Sequence, residues 1–216
     1  MDNSGGMSFA ELLEQPNVVE QVAVRERFGF LAYHGGPVER VTTLIAKRAS
    51  DLADASFYGI DQPAERPLHL PSTRFDPEDS THLRTVIDHV DVVCTIHGYG
   101  RDMDKQHVLL GGQNRELAEH VADHLRPRLS KRYPIITDLN QIPKELRGVH
   151  ARNPANLPRD GGVQIELPPA LRWNWKAGSW ADAPGLEPTT AVQATIDGLA
   201  AAAIAWMRPK DFTLDH

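Results

Sequence analysis

Apolar residues along this chain fall into short continuous runs separated by stretches of helical periodicity, and two of the runs share one kind of ending. The first, residues 28–33, stops at His34, turns on Gly35-Gly36-Pro37 and is followed by Glu39. The second, residues 90–96, stops at His97-Gly98-Tyr99-Gly100. Short apolar runs bounded by glycine read as strands of a buried sheet. After the first run, Val41, Leu44, Ile45, Ala49 and Leu52 recur at helical spacing, with Arg48 the polar intruder. A helix is therefore expected to open with Glu39 in its first turn, where the helix dipole favours a carboxylate.

The same alternation continues. A short strand is expected at 67–71, and Asp76-Pro77 reads as a capped helix start with proline at its first position, running to about residue 89. Residues 108–112 read as a strand, 114–129 as a helix with Leu117, Val121, His124 and Leu125 on one face, and 133–137 as a further strand. The stretch 141–162 has Pro, Asn, Arg and Gly without periodicity, which predicts a long loop of the kind that carries function. It leads into a strand at 162–168 that presents Glu166 near its end, and an Ala-rich helix is expected from 189 to about 207. Strands alternating with helices predict an α/β fold, a three-layer sandwich around a mixed, mainly parallel sheet. With 216 residues, 41% of them hydrophobic, one domain spanning 1–216 is expected.

Charge narrows the partners. A formal net charge of −6 and a pI near 5.9 make a poor electrostatic footprint for nucleic acid or anionic lipid. The first 17 residues lack a basic segment followed by an apolar one, and no run of about 18 apolar residues is read anywhere, so a cytoplasmic chain without a membrane partner is expected. The single cysteine, Cys94, rules out an internal disulfide and reads as a small buried hydrophobe.

The candidate chemistry sits at the strand ends. In an open α/β sheet, ligands bind at the carboxyl ends of the strands. His34 and His97 with Glu39 form the two-imidazole, one-carboxylate set of a catalytic zinc site. Taken singly, each histidine also reads as a hydrogen-bonded structural residue. His120 and His124, four apart on a helix, lack a His-Glu-x-x-His context and read as packing or solvent-facing residues. Trp173, Trp175 and Trp180 read either as an aromatic wall over a ligand or as packing of a C-terminal extension. No Gly-x-Gly-x-x-Gly or Gly-Lys-Ser/Thr phosphate loop is present.

His34-Gly35-Gly36 with Glu39, Ser72-Thr73-Arg74-Phe75-Asp76, His97-Gly98-Tyr99, Gly111-Gly112, Asn153 with Asn156, and Gly162-Val163-Gln164-Ile165-Glu166-Leu167-Pro168 occur in an order that resembles the poly-γ-glutamate hydrolase family. That family includes phage depolymerases of bacterial polyglutamate capsules and is related in fold to the zinc carboxypeptidases. The resemblance runs from about residue 33 to 172 and implies one zinc per chain on His34, Glu39 and His97, with Glu166 as the catalytic carboxylate. Amide hydrolysis at neutral pH needs a better nucleophile than water, which a zinc ion on three protein ligands supplies. Glu166 would move the proton. Arg74 is the expected oxyanion partner and Arg115 the second choice. Arg147, Arg152, Arg159 and Arg172 are expected to receive substrate carboxylates, Asn153 and Asn156 to hold the long loop through Asx turns and touch the substrate, and Tyr99 to line the substrate site. The implied activity is hydrolysis of γ-glutamyl amide bonds in poly-γ-glutamate by a monomer. Two alternatives stay open: an amidohydrolase of small N-acyl amino acids or peptidoglycan γ-glutamyl peptides, and a non-catalytic binder of acidic ligands.

Overall fold

A computed structural model describes residues 6–208 apart from Arg66, Arg101 and Asp104, so the two ends of the expected domain lie outside the described residues. Seven strands, β1 (Val19–Ala23), β2 (Glu26–Ala32), β3 (Ala55–Asp61), β4 (Val92–Gly98), β5 (Val108–Leu110), β6 (Ile135–Ile136) and β7 (Gly162–Leu167), form one mixed sheet in the order β1-β3-β2-β4-β7-β5-β6. The central pairs β3/β2, β2/β4 and β4/β7 are parallel, as is β5/β6, whereas β1/β3 and β5/β7 are antiparallel. After β2 the chain builds β3 on one side, then crosses to place β4 on the other. The crevice between the carboxyl ends of β2 and β4 is therefore the switch point at which open α/β sheets take ligands.

The helices are α1 (Phe9–Leu13), α2 (Thr42–Ala53), α3 (Thr81–His89), α4 (Arg115–Leu125), α5 (Pro169–Arg172) and α6 (Thr190–Met207), and a small hairpin pairs β8 (Trp173–Asn174) with β9 (Ser179–Trp180). Two buried clusters define the layers. Phe28, Phe30, Cys94, Ile96, Val163 and Ile165 pack under α2, α4 and α6 on one face. Leu31, Tyr33, Tyr58, Ile60 and Val93 pack under α1 and α3 on the other. This is the expected three-layer α/β sandwich, and Cys94 lies in its core with burial pushing the thiol pKa up.

Capping chemistry sets the helix starts. Ser8 and Glu11 form a reciprocal capping box on α1, and Ser80, Asn114 and Thr189 accept from the backbone of α3, α4 and α6. α6 is long and apolar enough, by length and composition, to cross a membrane, which the sequence reading did not register. Here it packs along α2 and α4, and Gly198 lets it approach Leu125 so closely that an added Cβ would meet Leu125 Cδ2 at 2.7 Å.

Several expected boundaries move. Residues 67–71 form no strand: prolines at both ends remove donors, and the Gln62 side chain pairs with Leu68 N and O (2.8 and 2.9 Å) in place of a neighbouring strand. The expected helix from Asp76 divides into a single turn at Pro77–Asp79 and α3, because Ser80 in extended backbone recaps the chain. α4 ends at Leu125 rather than 129, because Pro127 has no N–H to continue the helical ladder, and the 133–137 strand shrinks to β6. Glu39 stands three residues before α2, outside its first turn. The helix begins at Thr42 because Val41 adopts φ +78°, a left-handed conformation that valine rarely takes. β1 and β3 are additions to the expected set.

Candidate metal centre

Alternation along the strands selects the chemistry. In β4 and β7, Cys94, Ile96, Val163, Ile165 and Leu167 enter the core under α2, α4 and α6, so Thr95, His97, Gln164 and Glu166 face the opposite way. His97 and Glu166 are direct partners in the parallel register. His34 follows two residues after β2, and the loop that returns Glu39 to it closes through Glu39 N–H donating to His34 O at 2.9 Å. Gly35 makes that loop possible, since an added Cβ would lie 2.3 Å from Ile60 O.

His34, Glu39 and His97 converge at the end of β2 and β4, all three buried. His34 Nδ1 stands 3.0 Å from Glu39 Oε1, His97 Nδ1 3.2 Å from Glu39 Oε2, and the two Nδ1 atoms 3.2 Å from each other. The outer ring nitrogens decide the tautomers. His34 Nε2 meets the Leu70 carbonyl at 2.7 Å, which accepts only, so that nitrogen carries the proton. Leu70 is free to do this because 67–71 is not a strand. His97 Nε2 lies 2.9 Å from Tyr33 Oη, whose own proton goes to Asn153 Oδ1 at 3.2 Å. Both Nδ1 lone pairs then point inward, at each other and at a carboxylate. Acceptors so close repel unless a proton or a cation sits among them. Two imidazole nitrogens and one carboxylate oxygen, each imidazole anchored through its outer nitrogen, fit zinc by donor type and by support.

Electrostatics separates the two carboxylates. Burial pushes the Glu39 carboxyl pKa up, but when a proton sits among these atoms the resulting charge and hydrogen bonds of His34 and His97 prevail and hold it well below the usual range. Glu166 is raised instead, to about 7: burial leads, Glu39's charge adds to it, and His97, the Gln164 amide and Arg172 only partly oppose it. Gln164 Nε2 donates to Glu166 Oε1 at 2.8 Å, and Asn153 Nδ2 donates to Gln164 Oε1 at 2.7 Å. A single chain of oriented hydrogen bonds, His97–Tyr33–Asn153–Gln164–Glu166, thus ties a metal-competent histidine to the carboxylate beside it. All but the fully buried Tyr33 line a cleft of about 740 Å³ whose walls also include His69, Tyr99, Lys144, Arg147 and His150.

The other sequence-derived candidates divide. Tyr99 lines the cleft, its hydroxyl donating to His107 O at 2.7 Å. Asn153 also lines it and accepts from Ala155 N–H, the expected Asx turn. Asn156 does not reach the cleft lining: its amide donates to Gly148 O and His150 O and accepts from Gln113 N–H, so it braces the loop from behind. Arg74, the expected oxyanion partner, lies outside the cleft lining, and its exposed guanidinium donates to Met7 O in the N-terminal segment. Arg115, the second choice, also lies outside the lining: it donates to the carbonyls of Gly112, Leu110 and Thr137 and holds β5 and α4 together. Arg152 and Arg159 are exposed outside the cleft lining, and Arg159 pairs with Asp160 and Asp91. Among the four arginines expected to receive carboxylates, Arg147 lines the cleft, and Arg172 is buried beside it. Gln164, Tyr33 and His69 were not singled out from sequence. Gln164 was legible in principle, two residues before Glu166 and so on the same strand face; His69, its ring 4.8 Å from that of His34, rides on the irregular segment that pattern reading took for a strand. The His120–His124 pair packs against α6, with His120 Nε2 2.9 Å from Ala202 O.

The sheet order and this cluster define a carboxypeptidase-like α/β domain. A metallo-carboxypeptidase from Burkholderia cenocepacia has the same fold at a TM-score of 0.50, with 11% identity over 90% of this chain and 66% of that one. The chain itself belongs to the poly-gamma-glutamate hydrolase family, whose model matches residues 7–178, further toward both ends than the sequence resemblance reached. A bacteriophage poly-gamma-glutamate hydrolase superposes with a TM-score of 0.74 at 21% identity, covering 91% of this chain and 93% of that one. A zinc-free apo structure of YNDL gives 0.73 at 20% identity, covering 93% and 98%. The SPbeta prophage-derived protein YoqZ of Bacillus subtilis strain 168 is 31% identical over 146 residues, which is 67% of this chain and 50% of the relative, so the chain spans about half the length of that protein.

Proposed function

We propose that the protein is a zinc-dependent hydrolase of γ-glutamyl amide bonds, with poly-γ-glutamate as its substrate and one zinc held by His34, Glu39 and His97. The observation that carries this reading is the convergence of two Nδ1 lone pairs and a carboxylate beside a second buried carboxylate, Glu166, whose strand pairs with that of His97 at that very position. When bound, zinc supplies Lewis acidity toward the scissile carbonyl and the attacking water. Glu166 takes the proton from that water. Burial raises the pKa of this carboxylate above the ordinary range, which makes it a better base for that proton and able to release it to the leaving nitrogen. Gln164 engages Oε1 of Glu166 and fixes the plane of the carboxylate. Lys144 and Arg147 place positive charge on one wall of the cleft, which suits a polyanion despite the −6 of the whole chain.

Zinc-loaded protein incubated with poly-γ-glutamate should shorten the polymer, as read by size-exclusion chromatography, and a chelator should stop the reaction. A polymer of unchanged length in the presence of stoichiometric zinc would overturn the reading.

A further inference from the structure

Arg172 closes α5 just after β7, and nothing in the hydrolytic scheme above uses it. It is 3% exposed, and its Nε is the buried side-chain nitrogen that, among the described residues, has no hydrogen-bond partner. A buried guanidinium N–H without an acceptor costs stability, so the position calls for an occupant. The guanidinium fills the space that a side chain at Gly98, the neighbour of His97, would take: a Cβ added at Gly98 would stand 2.4 Å from its Cζ. The Trp180 ring centroid is 5.0 Å from Cζ. Nη1 is spent on Arg40 O at 3.0 Å. Arg40 in turn holds Asp182 through its Nε and Nη2, and Asp182 Oδ2 accepts from Val41 N–H at 2.8 Å, so the segment that fixes Nη1 is itself fixed. The Nε side of a guanidinium is the side that grips carboxylates, as Arg40 grips Asp182 and Arg27 grips Asp91. In Arg172 that side is unfilled at Nε.

Arg172 also lines a second cavity, about 450 Å³, that shares Glu39, His69, Gly98 and Gly100 with the main cleft and so opens from the metal centre. Without a metal, the carboxylates of Glu39, Glu166 and Asp182 that act on Arg172 outnumber Arg172 and Arg40; a divalent cation on the three ligands would make the surroundings net positive. We infer that this cavity is a carboxylate subsite in which Arg172 grips the free α-carboxylate of the glutamyl residue whose nitrogen is being released. The inference rests on the γ-glutamyl reading above and adds to it a linkage filter. In a γ-linked chain the α-carboxylate hangs on the carbon bonded to the scissile nitrogen. In an α-linked chain that carboxylate is consumed in the next amide. A cation one residue from a metal ligand reaches the former and meets a neutral amide in the latter.

The test compares two oligomers, a γ-glutamate pentamer and the same pentamer with its α-carboxylates converted to primary amides, on zinc-loaded wild type and Arg172→Gln and Arg172→Lys. Wild type should favour the carboxylate form by about 100-fold in kcat/KM, carried by KM, and the preference should collapse toward unity in both variants, since lysine keeps charge but lacks the planar grip. Binding to zinc-loaded Glu166→Gln, measured by calorimetry without turnover, should show the same preference, lost when Arg172→Gln is added. Equal kcat/KM for the two oligomers on wild type overturns the proposal whether or not the variants fold. A fall in kcat that is alike for both oligomers, with the preference intact, overturns it in favour of an oxyanion role. Hydrolysis of neither oligomer by wild type would overturn the polyglutamate reading, and this proposal with it.

Discussion

Ile165 and Glu166 are neighbours on one strand, as Ile96 and His97 are on the next, yet one member of each pair enters the packed core under α2, α4 and α6 and the other faces the metal centre. The apolar face is continuous to the strand ends because three helices cover it. The opposite face is covered by α1 and α3 over β2 and β3, and at the ends of β4 and β7 by the 141–161 loop, which leaves a cleft. A single residue step therefore separates stability from chemistry. Both faces are buried; what distinguishes them is whether the buried group has a partner waiting.

The largest effect that sharpens this contrast comes from exchanging one residue on each face. Glu166→Gln should lower kcat by about 10³-fold, with KM and zinc content little changed, because the amide keeps the shape and loses the base. Its melting temperature should not fall, since a buried charge is removed. Ile165→Ala should do the reverse: a cavity costing about 2–5 kcal/mol, read as a lower denaturation midpoint, with KM near wild type. Comparable losses of both stability and turnover in the two variants would mean that the faces are not separate.

Next in size is the pH profile. Glu166 works as a base when deprotonated, so raising its pKa moves the loss of activity upward: kcat/KM should fall about tenfold per unit as pH drops through that pKa. The value near 7 belongs to the metal-free site, and a zinc ion nearby favours the ionised carboxylate. The acid limb of the zinc enzyme should accordingly lie at or below about 7. Gln164→Leu removes a hydrogen bond that favours the carboxylate and should shift that limb upward; a limb that stays in place would show that Gln164 does not engage the base.

How much of this was legible in the sequence follows from the same geometry. Apolar runs ending in His-Gly located β2 and β4, the strand after the long loop located β7, and the histidines and glutamates near their ends were visible as a set. β3 followed directly on α2 and was absorbed into the helix-to-loop transition, and the edge strand β1, with Val19 and Val22 exposed, has no buried face to give it a pattern. The roles of the arginines were not legible for a different reason. Arginine serves equally to cap carbonyls and to bind carboxylates, and sequence does not say which acceptors surround it. Arg115 meets three carbonyls, Arg74 an N-terminal one, and Arg172 keeps an unfilled Nε. Only the fold distributes the acceptors.

A smaller effect is expected from the hydrogen-bond chain that joins the two sides of the site. Asn153 holds Tyr33, Gln164 and the Ala155 N–H together. Asn153→Ala leaves Tyr33 and Gln164 free to turn, which should cost about 10-fold in zinc affinity or kcat/KM, the usual size for a residue that orients ligands without touching the metal. Zinc titration and steady-state kinetics on one preparation would check it; unchanged values in both would mean that the two anchors hold without their bridge.

The smallest effect belongs to Arg152, which the sequence placed at the substrate. It is exposed and outside the cleft lining, so Arg152→Glu should change stability by no more than about 0.5 kcal/mol. Its charge acts on a polyanion only through solvent, where screening reaches about 8 Å at physiological salt. Polymer kcat/KM should thus stay within about twofold of wild type at that salt. Arg147→Glu, reversed on the cleft wall itself, should raise KM for the polymer more, and the gap between the two variants should narrow as salt is added. A larger KM increase for Arg152→Glu than for Arg147→Glu would move the polymer's path off the cleft and onto the outer surface of the loop.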